Sequence, residues 1–181
     1  MRVCVFCASS ESADGAQREL AASVGRLIAA RGHALVHGGT RQGLMAVVAA
    51  EASSAGAHVI GVVPAAMRAQ VDPVCDELVV TDTLAARKTA MVERSDAFLV
   101  LPGGLGTLDE LLEVMTLRQL GVHDRPIALL GTPGFWDPLV AFLDGLADRG
   151  LAVRASTLVH VGVDPEAAMA HLEAGVTGVT G

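Results

Sequence analysis

Tyrosine is absent from this chain of 181 residues, and aromatic residues together make up 3% of it. Proteins that hold single-stranded nucleic acid stack its bases on such rings, so that partner is not expected. Lysine occurs once, as Lys88, and the net charge is −7. A duplex-binding face needs a stripe of lysine and arginine, whereas the basic residues gather no further than Arg87-Lys88. The expected partner is a small molecule. The three cysteines, Cys4, Cys7 and Cys75, are an odd number, which fits reduced thiols in a cytoplasmic protein. His123 has no second histidine or cysteine at ligand spacing, so no metal site is expected.

Although 51% of the residues are hydrophobic, no apolar run reaches the ~18 residues of a membrane span. The start, Met1-Arg2-Val3-Cys4-Val5-Phe6-Cys7, reads as a strand and offers no small-residue cleavage site for a signal peptide. Neither a membrane nor export is expected.

What the chain has in abundance is alternation. Apolar runs at Val3–Cys7, Ala34–Val36, His58–Val63, Leu78–Val80, Ala97–Leu101, Ile127–Leu130 and Leu158–Val161 have the continuous Val/Leu/Ile character of strands covered on both faces. Between them lie amphipathic stretches at Gln17–Arg31, Leu44–Ser54, Ala86–Arg94, Leu108–Leu120, Pro138–Arg149 and Pro165–Glu173. Regular βα alternation with short connections predicts an α/β fold, a Rossmann-like doubly wound parallel sheet in a single domain. Residues 1–174 form that domain, and the Gly/Val/Thr tail 175–181 reads as flexible.

Ligands of such sheets bind outside the carboxyl ends of the strands. Three strand ends carry suitable loops: Ala8-Ser9-Ser10-Glu11-Ser12, His37-Gly38-Gly39-Thr40-Arg41-Gln42-Gly43-Leu44-Met45, and Pro102-Gly103-Gly104-Leu105-Gly106-Thr107-Leu108-Asp109-Glu110. The last is the most informative. It follows the strand Asp96–Leu101 and opens a helix, so its glycines turn the chain sharply and leave N–H groups uncovered at a helix N-terminus, a ready site for phosphate. The same loop delivers a carboxylate, Glu110, within the expected first turn. Glu110, Glu113 and Thr116 share one helix face.

Other motifs are excluded by spacing. Gly38-Gly39-x-x-x-Gly43 lacks the G-x-G-x-x-G of a dinucleotide site, and neither Gly loop is followed by Lys-Ser/Thr as in a P-loop. Ser9 and Ser10 lack a G-x-S-x-G elbow. His37 is read as structural, and His123 as lying near the cleft. An arginine can clamp phosphate by a fork, and a carboxylate can act as acid, base or cation stabiliser, so Arg87 and Glu110 matter most as a pair.

Arg87-Lys88-x-x-Met91, Pro102-Gly103-Gly104-x-Gly106-Thr107-x-x-Glu110, Thr116, Gln119-Leu120-Gly121 and His123-Asp124-x-Pro126 resemble the LONELY GUY family of nucleoside 5′-monophosphate phosphoribohydrolases, often labelled lysine decarboxylases. The resemblance runs from Val5-Phe6-Cys7 to Phe135-Trp136-Asp137-Pro138-Leu139. It implies hydrolysis of N6-substituted adenosine monophosphates, such as cytokinin riboside 5′-monophosphate, to free base and ribose 5-phosphate, without a cofactor. It implies Arg87 and Glu110 as the catalytic pair. Lys88, Gly103, Gly104, Leu105, Gly106, Thr107, Leu108, Asp109 and Thr116, with Gly39, Met45 and Ser9, are the expected substrate contacts, and a homodimer with the site near the subunit boundary is the expected assembly. The chain departs from the family at Thr40 in the run Gly38-Gly39-Thr40, at Ala46, at Leu84-Ala85, and after Pro64, where Ala65-Ala66-Met67-Arg68-Ala69-Gln70 offers no acidic contact. The alternative reading is a non-catalytic Rossmann carrier of a phosphorylated ligand, related to molybdenum-cofactor carriers.

Overall fold

The computed structural model describes residues 1–178. Strands β1 (Arg2–Phe6), β2 (Ala34–His37), β3 (Val59–Pro64), β4 (Glu77–Thr81), β5 (Ala97–Val100), β6 (Ile127–Leu130) and β7 (His160–Gly162) form one sheet in the order β4-β3-β2-β1-β5-β6-β7. Each pairing is parallel. Helices α1 (Gly15–Ala30), α2 (Gly43–Ser54), α3 (Leu84–Glu93), α4 (Leu105–Gln119), α5 (Asp137–Ala147), α6 (Ala155–Leu158) and α7 (Pro165–Thr177) cover it, and a 3₁₀ segment occupies Ala65–Gln70. Among the described residues, no helix is long and apolar enough to cross a membrane.

Strand periodicity divides the core into two layers. Along β1, Val3 and Val5 face the layer under α1, α2 and α7, whereas Cys4 and Phe6 face the layer under α3 and α4. Successive strand residues point to opposite faces, and both faces are covered, so the central strands read as unbroken apolar runs. The edge strands are less covered: Leu78 and Val80 of β4 are exposed.

Local chemistry sets the helix starts. Asp14 Oδ1 accepts from Gln17 N at 2.8 Å and Gln17 Oε1 accepts from Asp14 N at 3.2 Å, a capping box that starts α1 ahead of the expected Gln17. The expected tail is shorter than its reading from Gly175. Helix α7 continues to Thr177, and Gly175 within it packs closely on Pro126, whose Cβ would lie 2.6 Å from an added Cβ. Residues 179–181 of that tail lie outside the described residues.

The order of the sheet places its switch point between β1 and β5, with β1 leading toward β2 and β5 leading toward β6. A crevice opens at such a point. The loops after β1 and β5 meet there, joined by Ala8 N donating to Pro102 O at 3.1 Å.

Helices α1 and α2 approach so closely at Gly25 that a Cβ would stand 2.6 Å from Val48 O and 2.8 Å from Glu51 Cβ. Helix propensity alone favours Gly25→Ala by about 0.5–1 kcal/mol, but prising two packed helices apart costs about 1–3 kcal/mol. Denaturant unfolding is therefore expected to give a lower midpoint for Gly25→Ala. Gly145→Ala in α5, where an added Cβ meets nothing within 4 Å, is expected to raise it. A stabilised Gly25→Ala protein would contradict this account of the α1–α2 contact.

Candidate active site

Helix α4 begins directly after Gly104, which has φ −97° and makes no side-chain cap. None of Gly103, Gly104 and Gly106 has positive φ, so these glycines serve by the space they leave rather than by a sharp turn. A Cβ on Gly103 would overlap Thr107 Oγ1, and Thr107 is buried against it. Gly104 and Gly106 have nothing of the chain within 4 Å of an added Cβ. They leave the N-terminus of α4, with its partial positive charge, open to the cleft.

The second Gly-rich turn is closed instead. Glu11 Oε1 accepts from Gly43 N at 2.9 Å, and Leu44 N donates to Ala8 O at 2.9 Å. The Gly43 N–H, and after it Arg18, holds the Glu11 carboxyl below its ordinary pKa. The N-terminus of α2 already has an anion of its own chain, which leaves the start of α4 as the open one of the two Gly-rich turns.

Arg87 reaches the cleft from the first turn of α3, where Thr83 Oγ1 accepts from Ala86 N at 3.0 Å and caps the helix. Its Nε donates to Val62 O at 3.0 Å, and its Nη1 donates to Glu110 Oε1 at 2.9 Å. A Cβ on Gly38 would overlap Arg87 Nη2, so the guanidinium occupies the space that Gly38 leaves. The two side chains are 14% and 12% exposed. Glu110 is the sixth residue of α4 rather than a member of its first turn. Burial raises its pKa, and Arg87 pulls it back in part.

Neighbouring groups respond to the pair. His37 is pushed down to about 4, first by burial and then by Arg87, so it stays neutral. Its Nε2 lies 3.4 Å from Cys75 Sγ, in keeping with its structural reading. Cys4 on β1 and Cys7 just beyond its end face opposite layers. Burial, reinforced by Glu110, raises both thiols far above their ordinary values, which leaves them protonated and unreactive. His123 is turned away from the cleft: its Nε2 lies 3.1 Å from Val114 O and its ring centroid 5.5 Å from that of Phe98.

The cleft encloses about 280 Å³. Of the expected site residues, Ser9, Met45, Arg87, Gly104, Leu105, Gly106, Thr107 and Glu110 line it. Gly103 lines a smaller recess behind the loop, and Gly39 backs onto Val63. Four do not face it. Leu108 packs into the core beneath α3 and α4, and Thr116 is exposed further along α4. Lys88, one residue beyond Arg87, turns to another face, where its Nζ lies 3.0 Å from Asp109 Oδ2 and 2.7 Å from Glu113 Oε2. Glu113 thus braces α3 against α4 beside the Arg87–Glu110 pair.

The cleft also contains Cys7, Ala8, Ser10, Thr40, Gln42, Met67 and Leu84, which were not among the expected substrate contacts. Ser10 and Thr40 could have been found from their strand-end loops. Met67 could not, because the 3₁₀ segment that carries it has no buried residue and hence no periodicity. Its position follows from Gln70, whose Oε1 accepts from Gln42 Nε2 at 3.2 Å and whose O accepts from Arg41 N at 3.1 Å.

Fold and cleft together define a doubly wound α/β protein with a buried Arg–Glu pair beside an open helix N-terminus at its switch point. The family model described as "Possible lysine decarboxylase" matches residues 45–172. A cytokinin riboside 5′-monophosphate phosphoribohydrolase from Mycobacterium tuberculosis is 47% identical over 150 residues, covering 82% of this chain and 80% of its own. A protein of that name from Arabidopsis thaliana is 39% identical over 151 residues, covering 82% and 70%. Among solved structures, the molybdenum cofactor binding protein of Rippkaea orientalis matches with a TM-score of 0.76 at 25% identity over 96% of this chain and 95% of its own. The molybdenum cofactor carrier protein of Chlamydomonas reinhardtii matches with 0.78 at 24% identity over 97% and 98%, a likeness of fold. The chain belongs to the "Possible lysine decarboxylase" family, the LONELY GUY family that its motifs resemble.

The family's descriptive name does not suit Lys88. A pyridoxal Schiff base needs a neutral amine, whereas hydrogen bonds from Lys88 to Glu113 and then to Asp109 raise its pKa and hold it as an ammonium. Pyridoxal phosphate mixed with the protein is expected to give no aldimine absorbance. A borohydride-trapped adduct at Lys88 would overturn that assignment.

Proposed function

We propose that this chain hydrolyses the N-glycosidic bond of adenosine 5′-monophosphates, N6-substituted forms included, releasing free base and ribose 5-phosphate. The observation that carries this reading is the buried Arg87–Glu110 pair placed beside the uncapped start of α4. The names and identities of the curated relatives support it. The carrier alternative has only the fold likeness to molybdenum-cofactor proteins behind it, a weaker ground than relatives of 39–47% identity.

In this mechanism the 5′-phosphate sits on the N–H groups at Gly104–Thr107, favoured by the helix dipole. Glu110 lies five residues along α4, about 7.5 Å down the axis, where the far side of the ribose would fall. Departure of the base builds oxocarbenium character at C1′, which the Glu110 carboxylate stabilises while it orients a water molecule. The C1′–N bond breaks with its electron pair leaving on the base, the water oxygen bonds to C1′, and Glu110 takes the water's proton and passes it on to the base. Arg87 opposes the desolvation that raises the pKa of Glu110 and steers the nucleotide. The transition state is that of glycoside hydrolysis, reached here without a carboxylate pair.

The chain is read as cytoplasmic, in keeping with its free cysteines, and as a homodimer. Leu105, Asp109, Leu112, Thr116 and Leu120 fall on the exposed face of α4, opposite the buried Thr107, Leu111, Val114 and Met115. Leu105 and Leu120 are 86% and 69% exposed there. Such a stripe supports a partner surface. It also gives Asp109 and Thr116, which do not face the cleft of their own chain, a place near a subunit boundary.

Two measurements test these readings. Glu110→Gln and Arg87→Ala are each expected to lower base release from AMP and isopentenyladenosine monophosphate by ~10²–10³, as loss of one charge-stabilising group does, with circular dichroism unchanged. Near-wild-type turnover in either variant would refute the assignment. Leu112→Asp, which puts a charge in the α4 stripe, is expected to sediment as a monomer. A wild type that itself sediments as a monomer would remove the dimer.

A further inference from the structure

Thr40 follows β2 and lines the cleft while being only 2% exposed. Its Oγ1 is buried and has no hydrogen-bond partner. A threonine hydroxyl offers one donor and two acceptor positions, and buried polar groups are so regularly satisfied that an orphan needs a physical reason. The backbone gives Thr40 no freedom to find a partner elsewhere. Gly39 precedes it at φ +71°, Asp72 N donates to Gly39 O at 2.8 Å, Arg41 N donates to Gln70 O at 3.1 Å, and Thr40 itself bridges Val71. A β-branched side chain on a clamped backbone has little rotamer choice.

The sheet order says which part of a ligand the hydroxyl would meet. Strand β1 separates β2 from β5, so the end of β2 stands about 9–10 Å across the sheet from the loop that opens α4. A nucleotide with its phosphate on α4 would lay its nucleoside half toward β2. We infer that Thr40 is a substrate-binding residue whose hydroxyl hydrogen-bonds the nucleoside half of a bound nucleoside 5′-monophosphate, at a ribose hydroxyl or a base nitrogen. This rests on the nucleotide reading of the cleft.

Thr40→Val keeps the shape and deletes the hydroxyl; Thr40→Ser keeps the hydroxyl. Calorimetry with AMP is expected to show at least a tenfold weaker Kd for Thr40→Val, about 1.4 kcal/mol, and most of the wild-type affinity for Thr40→Ser. Thermal unfolding without ligand should find Thr40→Val no less stable than wild type, because the substitution removes a buried group that had no partner. A structural threonine would behave in the opposite way, losing stability on conversion to valine. Ribose 5-phosphate, which lacks the base, separates the two ligand atoms. An equal loss of its affinity identifies a ribose hydroxyl as the partner, and no loss identifies the base. Thr40→Val binding AMP as wild type does, or unfolding more readily without rescue by serine, would overturn the inference. A wild type that binds AMP but releases no base would fail the hydrolase reading alone, and one that binds no nucleotide would fail both.

Discussion

Arg87 enters the cleft through the space that Gly38 leaves, and there its guanidinium hydrogen-bonds both the carbonyl of Val62 on β3 and the carboxylate of Glu110 on α4. One side chain thereby ties α3, the β2–β3 half of the sheet and α4 into a fixed relation. Exposed ion pairs contribute little to stability, and buried ones repay their desolvation only where the geometry is good and the remaining donors are satisfied. Arg87 meets part of that condition, because its Nε has a backbone acceptor of its own. Losing one partner would leave the other charge unpaired and mostly withdrawn from solvent, at about 3–5 kcal/mol. The position of this pair also sets its surroundings. Arg87 helps to keep His37 neutral, and Glu110 helps to keep Cys4 and Cys7 protonated, so the groups under the cleft floor carry no competing charge.

The fold was legible because its signals are collective. The sheet strands were expected within a residue or two of where they stand, since a run such as Ala97–Leu101 is apolar on both faces and only a parallel sheet covers both. Arg87, Glu110 and the loop from Gly104 to Thr107 were legible because glycines that open a helix, next to an arginine and a carboxylate at neighbouring strand ends, have the chemistry of an anion site. What sequence could not supply was the direction of individual side chains. Lys88 and Asp109 neighbour the cleft residues Arg87 and Glu110 in the chain, yet helical rotation of about 100° per residue turns them to each other and away from the cleft. Met67 and the start of α1 depended on single contacts, the Gln42–Gln70 hydrogen bond and the Asp14–Gln17 capping box. The tail extended too far back because Gly175 was read for its flexibility, while its role in the fold is to admit Pro126.

Two helices start from Gly-rich turns beside the same crevice, and what separates them is Glu11. Its carboxylate takes the first N–H of α2, and the loop around it presses on Gly43, where a Cβ would stand 2.6 Å from Ala8 O and from Ser10 O. The same loop donates from Ala8 N to Pro102 O. Closing α2 therefore also positions Ser9 and Ser10 against the loop that opens α4. A single acidic residue decides which helix dipole is spent inside the chain and which faces the cleft.

Three features of this cleft oppose stability when taken alone. The pair Arg87–Glu110 is withdrawn from most of the solvent, α4 starts without a side-chain cap, and the Thr40 hydroxyl is buried without a partner. Some of these costs recur elsewhere, in the uncapped start of α5 and the orphaned Trp136 Nε1, but α1, α3 and α7 all begin with a capping side chain, from Asp14, Thr83 and Asp164, and the central strands bury only apolar residues apart from His37. Departures from local consistency tend to collect at functional sites. A phosphate on α4 would supply the missing cap, a ribose or base would give the Thr40 hydroxyl a partner, and an incipient cation at C1′ would give Glu110 a second opposite charge. The features that weaken the cleft on its own are thus the ones that a nucleoside monophosphate would relieve, which is the arrangement expected of a surface shaped for a ligand and its transition state rather than for the resting fold.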